Sequence, residues 1–314
     1  MAGLLTRAVA WSGRELTRVR RRWPWLRRLV PLAIVRRLVA TRSRLTEVRH
    51  RFIRVEHRTA FANVYHCAVQ KTGSQWLMSV LSDVTVYRFS GLTYYHYQSR
   101  ARVNGRPASS VDLARLRLPE GAIVSPLLVP HGVFRAMPKP DAWRAFFVLR
   151  DPRELVVSWY FSTLRTHLND RDGNRPMTDL RQRLARMSQE EGLCHAVRVL
   201  ADRGRFAALQ DWARAATADP RILLLRFEEL AGGQSLDAFR RLFEFCDVRI
   251  PEAELGALLS AYSFARLSGR PAGTEDTHSH LRSGAAATWP RYFTPRIESA
   301  YRDCAGMLHR ELGY

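Results

Sequence analysis

The sequence predicts an α/β protein: a three-layer sandwich in which helices cover both faces of a central parallel sheet. The first observation behind this prediction is the order of segments, because short apolar runs of strand length alternate with longer helical stretches. The second is size and composition. A chain of 314 residues with 46% hydrophobic and 25% charged residues suits one large α/β domain or two small domains, and it is long enough to bury a substantial core.

Four apolar runs are the predicted strands. They cover residues 61–69, 122–129, 143–149 and 221–227. The third run is the clearest, since six of its seven residues are apolar and it ends in Arg-Asp-Pro-Arg at 150–153. Pro126 weakens the second, because proline cannot donate a hydrogen bond to a neighbouring strand.

Helical segments follow most of these runs. They are predicted at 75–81, from Glu154 onward, at 193–216, at 235–246 and at 252–261. Residues 268–288 are rich in Gly, Ser, Thr and Ala, which predicts a mobile loop. Thr294 and Pro295 are a good N-cap and first-turn pair, so a final helix is predicted from there to about Leu312.

Charge divides the chain into two predicted parts: a basic amphipathic N-terminal extension, residues 1–58, and a second domain, residues 59–314. The net charge of +21 indicates anionic partners, and the first 60 residues hold sixteen Arg and only three Glu. Tryptophans and apolar residues alternate with these arginines, which suits an acidic membrane surface. A helical extension that packs on the domain or on a second subunit fits the pattern equally well.

The cysteines and the hydropathy bear on the cellular compartment. Four scattered cysteines, Cys67, Cys194, Cys246 and Cys304, have no zinc-site spacing and predict free thiols in a reducing compartment. No apolar run is long enough to predict a transmembrane helix, and the first apolar stretch leads into arginines instead of a cleavage site. We therefore expect a cytoplasmic protein that can associate peripherally with the inner membrane face.

The first chemical motif is Lys-Thr-Gly-Ser-Gln-Trp at residues 71–76, between a predicted strand and a predicted helix. Gly73 permits backbone geometry in which successive N–H groups and a helix N-terminus surround an anion, and Lys71 adds a point charge. The common nucleotide phosphate loop, G-x-x-x-x-G-K-[ST], does not occur in the chain.

The second motif begins at Arg150, which ends a predicted strand, and includes Ser158, about two turns into the following helix. Both side chains can face the crevice at the carboxyl end of the sheet, where open α/β folds bind ligands. An arginine together with a hydroxyl suits a phosphate dianion.

In this order, the two motifs resemble those of the PAPS-dependent sulfotransferase family, where PAPS is 3′-phosphoadenosine 5′-phosphosulfate. The first resembles the 5′-phosphosulfate loop of that family, which is P-loop-like. The second resembles its 3′-phosphate motif: arginine, proline two residues on, serine eight residues on, then an aromatic. Segments 226–230, 262–264 and 282–289 resemble further family elements in the same order. The resemblance covers about residues 60–314.

The resemblance implies three groups of binding residues. The 5′-phosphosulfate would be held by Lys71, Thr72, Gly73, Ser74 and Gln75. The adenine pocket would be lined by Trp76, Phe227, Tyr262 and Phe264. The 3′-phosphate would be bound by Arg150, Ser158, Arg282, Ser283 and Gly284.

The chain departs from the family pattern at several of these positions. Gln75 stands where a hydroxyl residue is usual, Phe227 replaces a tyrosine, and Ser283 replaces a lysine. Residues 287–288 are Ala-Thr instead of Gly-Asp. These differences affect the details of 3′-phosphate binding more than the family resemblance itself.

The implied reaction moves the sulfuryl group of PAPS to a hydroxyl or amine of a carbohydrate, lipid or small-molecule acceptor, such as a glycolipid or a polysaccharide. Lys71 would neutralise charge on the leaving group, with no metal and no nucleic-acid partner. His131 is the nearest match to the histidine base of the family, although spacing from Arg150 would place that residue at Leu127.

His96, His278 and His280 are the other candidate bases. The alternative function is a P-loop-type kinase or another nucleotide-binding transferase, which would need a metal-holding carboxylate and a lysine after the loop glycines. A third reading, a non-enzymatic binder of acidic lipid or nucleic acid, would leave residues 60–314 unexplained.

Overall fold

The computed structural model describes residues 53–103, 106–107, 112–166, 175–279 and 281–314. The chain divides into two units, Met1–Arg54 and Val55–Tyr314, and the account below concerns the second. The predicted basic extension, residues 1–58, lies almost entirely outside the described residues, so its amphipathic helix stays a prediction.

The centre of the domain is a five-stranded parallel sheet with the order β2-β5-β1-β6-β7. Its strands are β1 (Asn63–Ala68), β2 (Thr93–His96), β5 (Ala122–Leu127), β6 (Trp143–Leu149) and β7 (Ile222–Arg226). A short antiparallel ribbon, β3 (Arg102–Val103) and β4 (Arg106–Pro107), follows β2. All four predicted strands are confirmed. The strand β2 was not predicted, because its sequence, TYYH, is only four residues long and is not an apolar run.

Side chains on the central strands alternate between two separate cores, one on each face of the sheet. On β1, Val64 packs with Phe146 and Val148 on one face, and Tyr65 and Cys67 join the opposite core. Every residue of β1 and β5 is buried, which is the burial expected of a parallel sheet covered on both faces. The predicted three-layer α/β fold is confirmed.

Pro126 lies within β5 although that strand has a neighbour on each side. The pairing with β1 shifts register there: Tyr65 pairs with Val124, and Cys67 pairs with Leu127. The paired residues of β2 end opposite Ser125. The proline therefore sits at a bulge, where its missing N–H breaks no regular ladder hydrogen bond.

The first half of the domain has two helices that were predicted, at 75–81 and from Glu154 onward, and three short ones that were not. They are α1 (Ser74–Leu81), α2 (Val84–Arg88), α3 (Tyr97–Arg100), α4 (His131–Ala136) and α5 (Pro152–Phe161). A 3₁₀ turn, Asp112–Arg115, precedes β5, and a π-helical turn, Ser162–Thr166, continues α5. The helix α5 begins well, because Asp151 accepts a hydrogen bond from the backbone N–H of Arg153 and Pro152 occupies the first turn.

The second half is mostly helical. Its helices are α6 (Arg175–Ala185), α7 (Gln189–Asp202), α8 (Arg205–Ala218), α9 (Phe227–Ala231), α10 (Ser235–Phe245), α11 (Glu252–Ala261), α12 (Phe264–Ser268), α13 (Pro295–Ala305) and α14 (Leu308–Glu311). A 3₁₀ turn, Trp289–Arg291, precedes α13. One core joins α5, α7, α8 and α13 to the sheet, and the other joins α1, α10 and α11. No helix among the described residues is long and apolar enough to cross a membrane.

Two predicted helices were wrong in extent, and glycine explains both. The helical stretch 193–216 is two helices, since Gly204 adopts a left-handed conformation (φ 64°) between α7 and α8. The final helix was expected to run to Leu312, but α13 ends at Ala305, just before Gly306 (φ 57°), and α14 follows as a separate turn. Thr294 caps α13 as predicted, accepting a hydrogen bond from the N–H of Ile297.

Candidate anion-binding site at the carboxyl edge of the sheet

The turn between β1 and α1 forms the base of the site. Lys71 and Gly73 both have positive φ angles of 78°, so the backbone reverses sharply before α1 begins. The Thr72 hydroxyl is fully buried and donates to the carbonyl of Val69 at 2.9 Å, which fixes the turn. Gly73 caps α1 without a side-chain cap, as in loops that offer backbone N–H groups to an anion.

Phe227, the first residue of α9, closes over this turn. A Cβ atom at Gly73 would lie 2.7 Å from the Phe227 ring, so only glycine fits beneath it. The Phe227 ring also meets Trp76 edge-to-face, with ring centroids 6.4 Å apart. The turn after β1 and the turn after β7 are thus packed as one unit.

Lys71 is directed into the site. Its Nζ donates to the hydroxyl of Ser162 in the π-helical turn that continues α5. Burial, reinforced by the neighbouring Arg150 guanidinium, lowers the pKa of Lys71 to about 8. The Lys71 ammonium group is therefore poorly hydrated and lies close to a second positive charge. Both features strongly favour binding of an anion at this position.

Arg150, directly after β6, links the two motifs identified in the sequence. Its Nη1 donates to the backbone carbonyl of Lys71 at 2.8 Å, and its guanidinium lies 4.4 Å above the centre of the Phe227 ring. Its Nε is buried without a hydrogen-bond partner within the described part of the protein. Ser158 lies half-buried two turns into α5, and Gln75 is exposed in the first turn of α1.

The C-terminal loop brings a second arginine to the same place. Arg282 donates to the Thr288 hydroxyl at 2.8 Å and pairs with Glu275. Nη2 of Arg150 and Nη2 of Arg282 lie 3.3 Å and 3.5 Å from the same oxygen, Oε2 of Glu154. Two arginines far apart in sequence therefore share one carboxylate.

Gly284 and Ser283 shape the rest of this loop. Ser283 is buried, and its hydroxyl accepts from the N–H of Ala285 at 3.2 Å. Gly284 has a φ of 62°, and a Cβ atom there would lie 2.2 Å from the Phe264 ring. Close approach of the loop to α12 thus requires glycine at position 284.

The predicted adenine residues form a connected group. The Trp76 indole donates to the backbone carbonyl of Tyr262 at 2.8 Å. The Tyr262 hydroxyl in turn donates to Asp83 at 2.8 Å, which fixes the start of α12 against α1 and α2. Phe264 lies against Gly284, as described above, so the group reaches the loop that carries Arg282.

The candidate bases are dispersed. His131 begins α4, and its ring lies edge-on to Trp212 with centroids 5.1 Å apart. Among the described contacts of His131, none joins it to Lys71 or Arg150. His96 ends β2, with its pKa lowered by burial, and His278 lies within hydrogen-bond distance of Arg165, at 3.1 Å. His280 is outside the described residues.

Sequence reasoning missed two residues that the site uses. Glu154 lies between both arginines, and its position four residues after Arg150, in the first turn of α5, was a usable signal for an ion pair. Ser162 had no such signal, because it reaches Lys71 only through the π-helical turn. The described residues contain no cluster of three or more His, Cys, Asp or Glu side chains able to hold a metal.

Comparison with known proteins identifies the family. The family model described as "Sulfotransferase domain" matches residues 63–309. The crystal structure of mouse sulfotransferase SULT7A1 complexed with PAP superposes with a TM-score of 0.51 at 14% identity, over 83% of this chain and 92% of that chain. No curated protein matches the sequence.

Two structures of retinol dehydratase are also similar. One is in complex with androsterone and inactive cofactor PAP, with a TM-score of 0.48 and 15% identity over 79% of this chain and 80% of that chain. The other is in a complex with retinol and PAP, with a TM-score of 0.49 and 17% identity over 81% of this chain and 82% of that chain. Since the family model spans most of the domain and includes both arginines, Lys71 and the two turns, the chain belongs to the sulfotransferase family.

Proposed function

We propose that the protein transfers the sulfuryl group of PAPS to a hydroxyl or amine of a carbohydrate, lipid or small-molecule acceptor. The observation that carries the proposal is the pairing of two cationic sites. Arg150 donates to the carbonyl of Lys71. The phosphate loop, residues 71–75 with Lys71, and the second cationic site, at Arg150, are therefore neighbours. PAPS and its product PAP, which is 3′-phosphoadenosine 5′-phosphate, carry anionic groups at both the 5′ and 3′ positions, whereas ATP carries them only at the 5′ position.

The residues present fit such a ligand. Residues 71–75 would hold the 5′ group, with Lys71 supplying the charge. Arg150, Ser158 and residues 282–284 would bind the 3′-phosphate. The buried Nε of Arg150, which has no partner in the described part of the chain, supports a further acceptor at this position. Trp76, Phe227, Tyr262 and Phe264 would line the adenine pocket.

The chemistry that these residues perform is mainly positioning and charge neutralisation. PAPS supplies the activated sulfuryl group, and transfer breaks its bond to the bridging phosphate oxygen as the acceptor oxygen forms a bond to sulfur. Lys71, protonated below about pH 8, would stabilise negative charge on the departing oxygen. Ser162 holds the Lys71 ammonium before the ligand binds.

A base must take the proton of the acceptor hydroxyl. His131 is our first proposal, with His96, His278 and His280 as alternatives. Burial lowers the pKa of His131 and that of His96, so both are unprotonated near neutral pH, as a base must be before it accepts a proton. Replacing each with glutamine in turn and measuring turnover at saturating PAPS would identify the base, because only its loss lowers kcat without weakening PAP binding.

Our proposals for the acceptor and for the cellular location rest on the sequence. We propose that residues 1–58 form a basic extension, that residues 59–314 form the sulfotransferase domain, and that the extension binds an acidic membrane surface at the inner, cytoplasmic face. The sixteen arginines among the first 60 residues support this proposal. They favour acidic or membrane-bound acceptors such as glycolipids or polysaccharides.

Isothermal titration with PAP, ATP and 5′-AMP tests the proposed co-substrate. We expect PAP to bind the wild type more tightly than 5′-AMP, and Arg150→Ala to remove most of that difference. Lys71→Ala should weaken all three ligands, because each has a 5′-phosphate. Preference for ATP, or indifference to the 3′-phosphate, would overturn the proposal in favour of a kinase.

A further inference from the structure

Glu154 is a fully buried carboxylate in the first turn of α5. Its Oε2 lies 3.3 Å from Nη2 of Arg150 and 3.5 Å from Nη2 of Arg282. A buried charge is tolerated only when it is paired and hydrogen-bonded, and here two guanidinium groups on different elements provide the pairing.

The same carboxylate also holds the C-terminal loop. Its Oε1 accepts from the backbone N–H of Thr288, and from that of Trp289 at 2.6 Å. Its Oε2 lies 3.2 Å from the Thr288 hydroxyl, which also accepts from Arg282. Arg150 is tied to the phosphate loop through the carbonyl of Lys71, so Glu154 links α5, the phosphate loop and residues 282–289.

We propose that Glu154 is a positioning residue that assembles Arg150 and Arg282 into one 3′-phosphate site, and so determines selectivity for 3′-phosphorylated nucleotides. This inference rests on the proposed function. Glu154 need not touch the ligand. It fixes one edge of each guanidinium, and Nε of Arg150, which has no partner among the described residues, is left to bind a phosphate.

Charge and geometry predict opposite results when the carboxylate is removed, which makes the inference testable. Glu154→Gln deletes a negative charge beside the phosphate site, so Coulomb attraction alone would tighten PAP binding. A positioning role predicts weaker binding, because a glutamine amide cannot accept hydrogen bonds from both arginines and from two backbone N–H groups.

The experiment measures the ratio of the dissociation constants of 5′-AMP and PAP by isothermal titration. This ratio isolates the contribution of the 3′-phosphate. We expect Glu154→Gln to lower the ratio about ten- to a hundredfold, the range for a charged hydrogen bond. Glu154→Asp keeps the charge but shortens the reach, and it should lower the ratio in the same direction. The control Glu244→Gln, at an exposed position on α10, should leave it unchanged.

An unchanged or increased ratio in Glu154→Gln would overturn the positioning role. Melting followed by circular dichroism shows whether each variant is folded. If Glu154→Gln is not folded, Glu154→Asp is compared with the wild type instead. Amide hydrogen exchange of residues 282–289 separates this inference from the proposed function. If the wild type shows no preference for PAP, the proposed function fails. In that case, faster exchange in Glu154→Gln still supports the positioning role of Glu154, and unchanged exchange overturns that role.

Discussion

Lys71 is one of only two lysines in a chain with 50 basic residues. An arginine would remain charged at any working pH, whereas a lysine can lose its proton when it is buried. Burial, with help from Arg150, lowers the pKa of Lys71 to about 8. The compact ammonium can approach a phosphate closely, but its charge depends on pH near the physiological range.

We predict that PAP affinity falls as the pH rises from about 7 to 9. The phosphates of PAP are already fully ionised in this range, since their second pKa lies near 6, so the loss follows deprotonation of Lys71. The fall should approach tenfold per pH unit above the pKa of about 8. Titration calorimetry at several pH values measures it.

Two variants serve as controls for this pH dependence. Lys71→Arg should abolish it, because the guanidinium stays protonated. Lys139→Arg replaces the other lysine, which donates to backbone carbonyls at the end of α4, and should keep the wild-type profile. A profile that is the same in wild type and Lys71→Arg would contradict the assignment to Lys71.

The turn between β1 and α1 is an element whose shape depends on glycine. Gly73 combines a positive φ of 78° with a Phe227 ring only 2.7 Å from where a Cβ would stand. Gly121 has a similar φ of 70°, but a Cβ there would meet nothing within 4 Å. Comparing substitutions at the two positions therefore separates the cost of backbone strain from the effect of a clash with the Phe227 ring.

We predict that Gly73→Ala weakens PAP binding at least tenfold and Gly121→Ala does not. Each substitution should cost about 1–2 kcal/mol for the left-handed backbone. Gly73→Ala adds displacement of Phe227, and with it the ring beneath Arg150. Thermal melting and titration with PAP measure both effects, and equal PAP affinities in the two variants would refute the steric argument.

The strand β1 carries a fully buried histidine at its centre. The His66 ring stacks on Phe146 with centroids 4.9 Å apart, and its Nδ1 lies 2.8 Å from the Ser125 hydroxyl. Burial lowers the pKa of His66 to about 3. The folded protein thus keeps His66 neutral at pH values where the unfolded chain, with a pKa near 6.5, binds a proton.

This difference predicts that stability is lost as the pH falls from about 6.5 towards 3, the window between the unfolded and folded pKa values of His66. The contribution of His66 is at most about 1.4 kcal/mol per pH unit. His66→Asn, which keeps a polar atom towards Ser125, should reduce the pH slope of the free energy of unfolding by that amount. Urea denaturation at several pH values provides the slope, and an equal slope in the variant would count against the prediction.

On the scale of the whole molecule, the site depends on segments distant in the chain. Glu154 and Arg282 are 128 residues apart in sequence, and Trp76 and Tyr262 are 186 apart. The parallel sheet brings the ends of β1, β6 and β7 to one edge, where the C-terminal loop closes over them. The first 60 residues, with sixteen Arg and three Glu, contribute +13 of the net charge of +21.

We predict that this charge governs membrane binding and leaves nucleotide binding intact. The full chain with Arg27, Arg28, Arg36 and Arg37 changed to Gln should lose affinity for vesicles rich in acidic lipid by about 1 kcal/mol per arginine. Co-sedimentation measures vesicle binding, and neutral vesicles and PAP titration are the controls. Equal sedimentation of wild type and variant would contradict the proposed role of the extension.

Local sequence was enough to predict four of the five strands of the sheet and the position of the two motifs after strands. The predicted strand at 143–149 coincides with β6, and the 71–76 motif lies in the turn between β1 and α1 as expected. The short strand β2 and the division of 193–216 escaped prediction. A four-residue strand has too little pattern, and a single glycine within a helical stretch does not by itself show whether the helix ends there.

The sequence by itself determined the α/β architecture, because apolar periodicity is a local property of the chain, and the resemblance of its motifs to those of sulfotransferases indicated the kind of chemistry. Only the tertiary structure decided that Arg150 and Arg282 meet at one buried carboxylate, that Lys71 contacts Ser162, and that His131 lies against Trp212. These contacts join residues far apart in the chain. Their geometry depends on how strands and loops pack around the sheet edge, which no short pattern of residues records.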